Sequence, residues 1–162
     1  MRTKRTQGPE ERNATGRVLA DFSMPSEPGN ERLATEAVAG ALKDTGLTLQ
    51  RLERLKTAVA EATMNAMEHG NHYRPELPVE LQVLLKDHDL LVRITDRGSG
   101  PPPKEDADAP DLLAKLEGMQ TPRGWGLFLI KSMVDEMEVT GDEHHHAVEL
   151  VLHLSGRAEG GE

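Results

Sequence analysis

A chain of 162 residues with 36% hydrophobic and 29% charged residues has the make-up of one globular domain and is unlike a disordered or fibrous protein. No stretch approaches the roughly 18 uninterrupted apolar residues of a membrane-spanning helix, and no apolar run follows Arg2, Lys4, Arg5 and Arg12, so the expected address is cytoplasmic, without a membrane segment or targeting peptide. The absence of cysteine excludes disulfides, thiolate metal sites and cysteine nucleophiles, and a formal charge of -9 argues against direct binding of nucleic acid.

Residues 1–15 are polar and 156–162 are rich in glycine and glutamate, so both are expected to be flexible tails around a domain spanning 16–155. A first strand is expected from Arg17 to Ser23, ended by the turn region of Pro25 and Pro28. Asn30 is a candidate cap for a helix in which Leu33, Ala37, Ala41 and Leu42 share a face, with Gly46 at its stop. The next helix is better marked, because Leu52, Leu55, Val59, Ala62 and Ala66 recur at steps of three and four between Thr48 and Gly70. Alternating, β-branched runs at Val79–Lys86 and Asp89–Asp96 predict a hairpin turning at Asp87 to Asp89. The Pro/Gly/Asp-rich stretch Gly98–Pro110, with a short helical run near Leu112 to Leu116, is long enough to be a functional lid. A further helix over Gly124–Val134 and two closing strands, Glu136–Thr140 and Ala147–Leu154, complete the chain. Helices and strands in blocks predict a two-layer α+β sandwich, with helices on one face of a mixed, largely antiparallel sheet.

Three places carry candidate chemistry. Glu61 and Asn65 lie one turn apart on the helix face opposite its apolar stripe, and Glu68 extends that polar line; alone this is an ordinary solvated face. Asp96 ends a strand whose inward set is Leu90, Val92 and Ile94, and it shares their phase. A carboxylate aimed inward either closes a local turn, with Gly98 and Gly100 following at once, or receives a donor from a ligand. Gly124-Trp125-Gly126 opens the last helix, where free amides and the helix dipole suit an anion, though such a pair also serves as a plain hinge.

Together, Glu61-Ala-Thr-Met-Asn65-Ala-Met-Glu-His-Gly70, Asp96-x-Gly98-x-Gly100 and Gly124-x-Gly126-Leu127 resemble, in that order, the N, G1 and G2 boxes of the GHKL (Bergerat-fold) ATPases. The first motif and the run Gly126-Leu-Phe-Leu-Ile-Lys-Ser-Met-Val-Asp135 are similar to those of the anti-sigma-factor serine/threonine kinases. The resemblance implies ATP and Mg2+ as cofactors, Asn65 as the magnesium ligand, Glu61 as general base and Asp96 as acceptor for the adenine amino group. It places Gly98 and Gly100 against the base, and Gly124 and Gly126, with Leu127 following, around the phosphates; Arg123 beside them either reaches the phosphate oxygens or is simply solvated. It further implies a sigma factor and an anti-sigma-factor antagonist as partners, the antagonist being phosphorylated in a partner switch, and a homodimer. The alternative is a non-catalytic ATP-binding interaction module of the same fold. A sensor histidine kinase's catalytic half would need an acceptor histidine, and nothing upstream resembles its dimerisation helix.

The closing strand departs from the family: Ala147-Val148-Glu149-Leu150 carries no hydroxyl where many members have a threonine near the adenine. Trp125 is bulkier than expected between the glycines, either packing on the nucleotide or plugging a closed lid. His69 reads as a packing residue. His144, His145 and His146 read as a solvated hairpin turn, because neighbouring strand residues point to opposite faces and converge poorly on one ion.

Overall fold

The computed structural model describes residues 16–98 and 122–154, apart from the side chains of 122–125. Five strands, β1 (Gly16–Pro25), β2 (Pro78–Lys86), β3 (Asp89–Asp96), β4 (Glu136–Gly141) and β5 (His146–His153), form one sheet in the order β1-β2-β3-β5-β4. All four ladders are antiparallel, so the expected mixed sheet is antiparallel throughout the described residues. Three helices, α1 (Asn30–Ala41), α2 (Leu49–Asn65) and α3 (Pro122–Met133), complete the α+β layering. Among the described residues no helix is long and apolar enough to cross a membrane.

Strand alternation decides which face the helices cover. Val79, Leu81 and Val83 of β2 and Leu90, Val92 and Ile94 of β3 are buried, with Leu81 opposite Ile94 and Val83 opposite Val92. They share one core with Leu55, Val59 and Ala62 of α2, Val38 of α1 and Ile130 of α3. Each such aliphatic side chain contributes roughly 1.5–3 kcal/mol by leaving water, which makes this face the main source of stability. The opposite face carries polar pairs instead: Arg93 with Glu149 at 3.3 Å, and Arg97 with Glu80 at 2.9 Å. A one-residue slip would exchange the two sets, so this contrast fixes the register.

Thr48 caps α2 by accepting the Arg51 amide at 3.2 Å. Arg51 then ties the start of α2 to the far end of the sheet, donating to the His153 carbonyl at 2.8 Å and pairing with Asp135 at 2.6 Å. At its other end α2 widens into a π-helical turn, Ala66–Gly70, closed by the Asn71 amide donating to the Ala66 carbonyl at 2.9 Å. His72 and Tyr73 follow in left-handed conformations, which turn the chain toward β2.

The first helix corrects the expectation for it. Leu33 is 57% exposed and Ala37 is also exposed, whereas Ala34, Thr35 and Val38 are buried, with Leu42 just beyond the helix end. Asn30 is the first helical residue, not the cap; Gly29, at φ 100°, holds the cap position, and the Asn30 side chain donates from Nδ2 back to the Pro25 carbonyl at 2.8 Å. The expected tails over 1–15 and 156–162, Gly100 and the helical run near Leu112 to Leu116 lie outside the described residues.

Candidate active site

α2 and α3 bring Glu61, Asn65 and Gly126 to one point. A Cβ built on Gly126 would lie 2.6 Å from Glu61 Oε2 and 3.0 Å from Asn65 Nδ2, so only a glycine lets α3 approach both side chains this closely. The polar line on α2 is therefore not a solvated face where it matters: Asn65 is 7% exposed, and among the described residues its Nδ2 has no hydrogen-bond partner. A buried amide left in that state is costly. That one end of the amide is available to a ligand, as a donor in this assignment and as an acceptor if O and N are exchanged. One neutral oxygen on a rigid helix also suits Mg2+, which takes few protein ligands and completes its shell with phosphate and water. Glu68, further along the line, is exposed.

Across the cleft, Asp96 is 5% exposed, as its inward phase requires. Its Oδ1 accepts the Gly98 amide at 2.7 Å, so the local turn bond exists. The crowding around it goes beyond a turn. A Cβ on Gly70 would collide with the Asp96 carboxyl group, and one on Gly98 would lie 2.9 Å from Asp96 Oδ1, the Gly70 carbonyl and His146 Nδ1 alike. Both glycines are thus held by tertiary contact with the carboxylate. Ile94, Ala62, Leu127, Val139 and Val148 form the apolar wall of the cleft, and Asn65, Asp96 and His146 are its polar members. Its enclosed space, about 10 Å³, is that of roughly one water, so a purine enters only if the walls part.

Asn65, Asp96 and Leu127 therefore line one cleft, with Gly98 packed on Asp96 and Gly126 on Glu61 and Asn65. Arg123 and Gly124 lie within α3, where the described backbone places them but not their side chains, and the same holds for Trp125. His69 is partly exposed, with Nε2 3.9 Å from Glu68.

Two functional-site residues escaped the sequence reading. His146 was expected in a solvated turn, yet it is 5% exposed and pairs in register with Asp96 across the β3–β5 ladder. Its Nδ1 stands 3.3 Å from Asp96 Oδ1. His144 and His145 do form an exposed turn, their amides donating to Asp142 Oδ1 at 2.7 and 2.9 Å. Those two bonds hold the exposed Asp142 carboxyl below its ordinary pKa.

The second is Asn71, fully buried at the end of the π turn. Its Nδ2 donates to Ser26 Oγ at 3.0 Å and to the Leu77 and Pro78 carbonyls at 3.0 and 3.1 Å, while its Oδ1 accepts the Arg97 amide at 2.8 Å. Ser26 donates in turn to the Leu77 carbonyl at 2.7 Å. One side chain thus locks the end of the α2 segment to the residue after Asp96. The available sequence signal was a polar residue directly after the helix-ending Gly70, where an Asn is also an ordinary turn residue.

Known proteins share this domain. Residues 24–152 match the family described as histidine kinase-like ATPase domain. The anti-sigma F factor of Oceanobacillus iheyensis is 32% identical over 118 residues, covering 73% of this chain and 78% of that protein. The anti-sigma F factor of Bacillus subtilis is 31% identical over 136 residues, covering 83% and 90%. Two crystal structures share the fold. The SiaB-SiaC complex of Pseudomonas aeruginosa aligns with TM-score 0.58 at 14% identity, covering 84% of this chain and 90% of that one. The RsbU and RsbW domains of a Mycobacterium tuberculosis protein align with TM-score 0.56 at 16% identity, covering 83% and 32%. With the family match spanning the strands and helices that build the cleft, and relatives above 30% identity over most of the chain, this protein belongs to the histidine kinase-like ATPase domain family.

Proposed function

We propose that the protein is an ATP-dependent serine/threonine kinase that acts as an anti-sigma regulatory factor, binding a sigma factor and phosphorylating an antagonist protein. The observation that carries the reading is the convergence of Glu61 and the buried Asn65 amide on the side-chain-free backbone of Gly126, with Asn65 lining the same cleft as Asp96. The relatives named anti-sigma F factors support the choice of partners.

In this reading Asp96 accepts a hydrogen bond from the adenine amino group, and Gly98 lets the chain pass close to the base. Asn65 would hold Mg2+, which when bound neutralises charge on the phosphates. Gly124, Gly126 and Arg123, at the N-terminal end of α3, offer donors to the same phosphates. Glu61 takes the proton from the attacking serine or threonine hydroxyl of the antagonist. Phosphoryl transfer asks mainly for positioning and charge neutralisation, so one base and one metal ligand on adjacent turns of a rigid helix suffice.

The test separates the base from binding. Glu61→Gln keeps size and most hydrogen bonding but removes basicity. ATP affinity by calorimetry should stay within a few-fold of wild type, while transfer of labelled phosphate to a serine-bearing antagonist falls by roughly 10²–10⁴. An unchanged rate removes Glu61 from the chemistry. Binding of ATP without transfer to any partner, in the wild type itself, means a nucleotide-dependent interaction module instead.

A further inference from the structure

Of the three histidines in the last hairpin, one does not behave as a turn residue. His146 turns inward, is 5% exposed, and sits directly opposite Asp96. The two side chains are the only ionisable groups among the cleft-lining residues described, the remaining polar one being the neutral amide of Asn65. Evolution of a plain core would not place an imidazole and a carboxylate together in an apolar wall, since each must find partners there to offset its lost hydration. The expected hydroxyl of the closing strand is absent from Ala147 to Leu150, and the residue that meets Asp96 is His146, one position earlier.

We infer that His146 is a positioning and specificity residue, which holds Asp96 in one orientation and makes the pocket select a purine with a 6-amino group over one with a 6-oxo group. The inference rests on the cleft being the nucleotide site. Asp96 Oδ1 is engaged by the Gly98 amide at 2.7 Å and lies 3.3 Å from His146 Nδ1, an ion-pair distance without hydrogen-bond alignment that a small turn of either side chain closes. The ring nitrogen nearest a carboxylate is the one that carries the proton, and in a neutral ring this leaves Nε2 as an acceptor. The proton at Nδ1 then faces the carboxylate, and the carboxylate presents the acceptor for the base. A 6-amino group donates to that carboxylate, whereas the 6-oxo group of hypoxanthine or guanine meets it lone pair to lone pair. Discrimination of this kind is strong because the wrong base leaves buried polar groups unpaired.

The test uses the full-length protein, with ATP and ITP as probes that differ at that purine position. His146→Leu removes both ring nitrogens, and His146→Asn keeps a donor near the place of Nδ1. Calorimetry should show the ATP-to-ITP affinity ratio falling about tenfold in His146→Leu, the worth of one hydrogen bond, and recovering most of that in His146→Asn. A purely structural role would lower the melting temperature and leave the ratio alone. Ring-nitrogen NMR of the ligand-free wild type, with the signal assigned by its loss in His146→Asn, should show the tautomer protonated at Nδ1. Wild-type binding of ATP with the same ratio in all three proteins overturns this inference alone, as does a ring protonated only at Nε2. Failure of the wild type to bind either nucleotide overturns the nucleotide reading and this inference with it.

Discussion

Gly126→Ala is the smallest change that tests whether Glu61 works where it stands. The added Cβ would lie 2.6 Å from Glu61 Oε2, about 0.8 Å short of the 3.4 Å at which ordinary contact begins, and 3.0 Å from Asn65 Nδ2, about 0.4 Å short. Both obstacles are ends of side chains, not backbone, so the helices can keep their places while Glu61 swings aside. Within α3 the substitution also replaces the poorer helix former by the better one, a gain of roughly 1 kcal/mol that offsets the local crowding. Stability should therefore stay within about 1 kcal/mol of wild type. Catalysis should not, because a displacement approaching 1 Å of a positioned group costs on the order of 10²-fold in rate. The assay pairs urea unfolding with single-turnover transfer of labelled γ-phosphate to an antagonist. Wild-type transfer by a stably folded Gly126→Ala protein would refute the reasoning, since a base pushed out of its observed position would then have been no base at all.

Asn71→Ala should cost roughly 2–3 kcal/mol in urea unfolding, because it leaves the part-buried Arg97 amide without its acceptor and strips a donor from the Ser26 hydroxyl and the Pro78 carbonyl, and it should weaken ATP binding by loosening the segment after Asp96. A loss under about 1 kcal/mol with unchanged ATP affinity would reduce Asn71 to a turn residue. His153 bridges two strands, with Nδ1 2.8 Å from Asp89 and Nε2 2.9 Å from Glu136, and the Asp89 hydrogen bond raises its pKa above the ordinary 6.5. A raised histidine stabilises the fold fully below about pH 6.5 and loses that contribution as pH climbs through the folded-state pKa. His153→Gln should flatten the urea midpoint over that rise. The difference is at most about 1 kcal/mol for so exposed a pair and shrinks in salt, and parallel pH profiles for both proteins would contradict it.

Some of this structure was legible because it is written in local period. α2 repeats its apolar residues at helical steps with a capping Thr48 before them, and the alternation of β3 places Asp96 on the inner face. The same tool misplaced α1, whose alanine-rich run supports two stripes one residue apart. Leu33 and Ala37 made one and Ala34 and Val38 the other, and packing against α2 and the sheet chose the pair that lets the helix come close, leaving the larger Leu33 in solvent.

What stayed hidden depends on partners distant in sequence. Gly126 reads as half of a flexible pair until α3 is laid across Glu61 and Asn65, and then its missing side chain has a steric reason. Asn71 bonds to Ser26, 45 residues away, and to Arg97, 26 residues away, so no window of sequence contains its purpose. His146 is the sharpest instance. Alternation correctly sends successive histidines to opposite faces, but only the β3–β5 register reveals that the inward one lands on Asp96. A motif thus names the candidate groups of the site, while the residues set opposite them are chosen by the antiparallel ladder. Here the ladder sets an imidazole beside the carboxylate, at a position outside all three motifs.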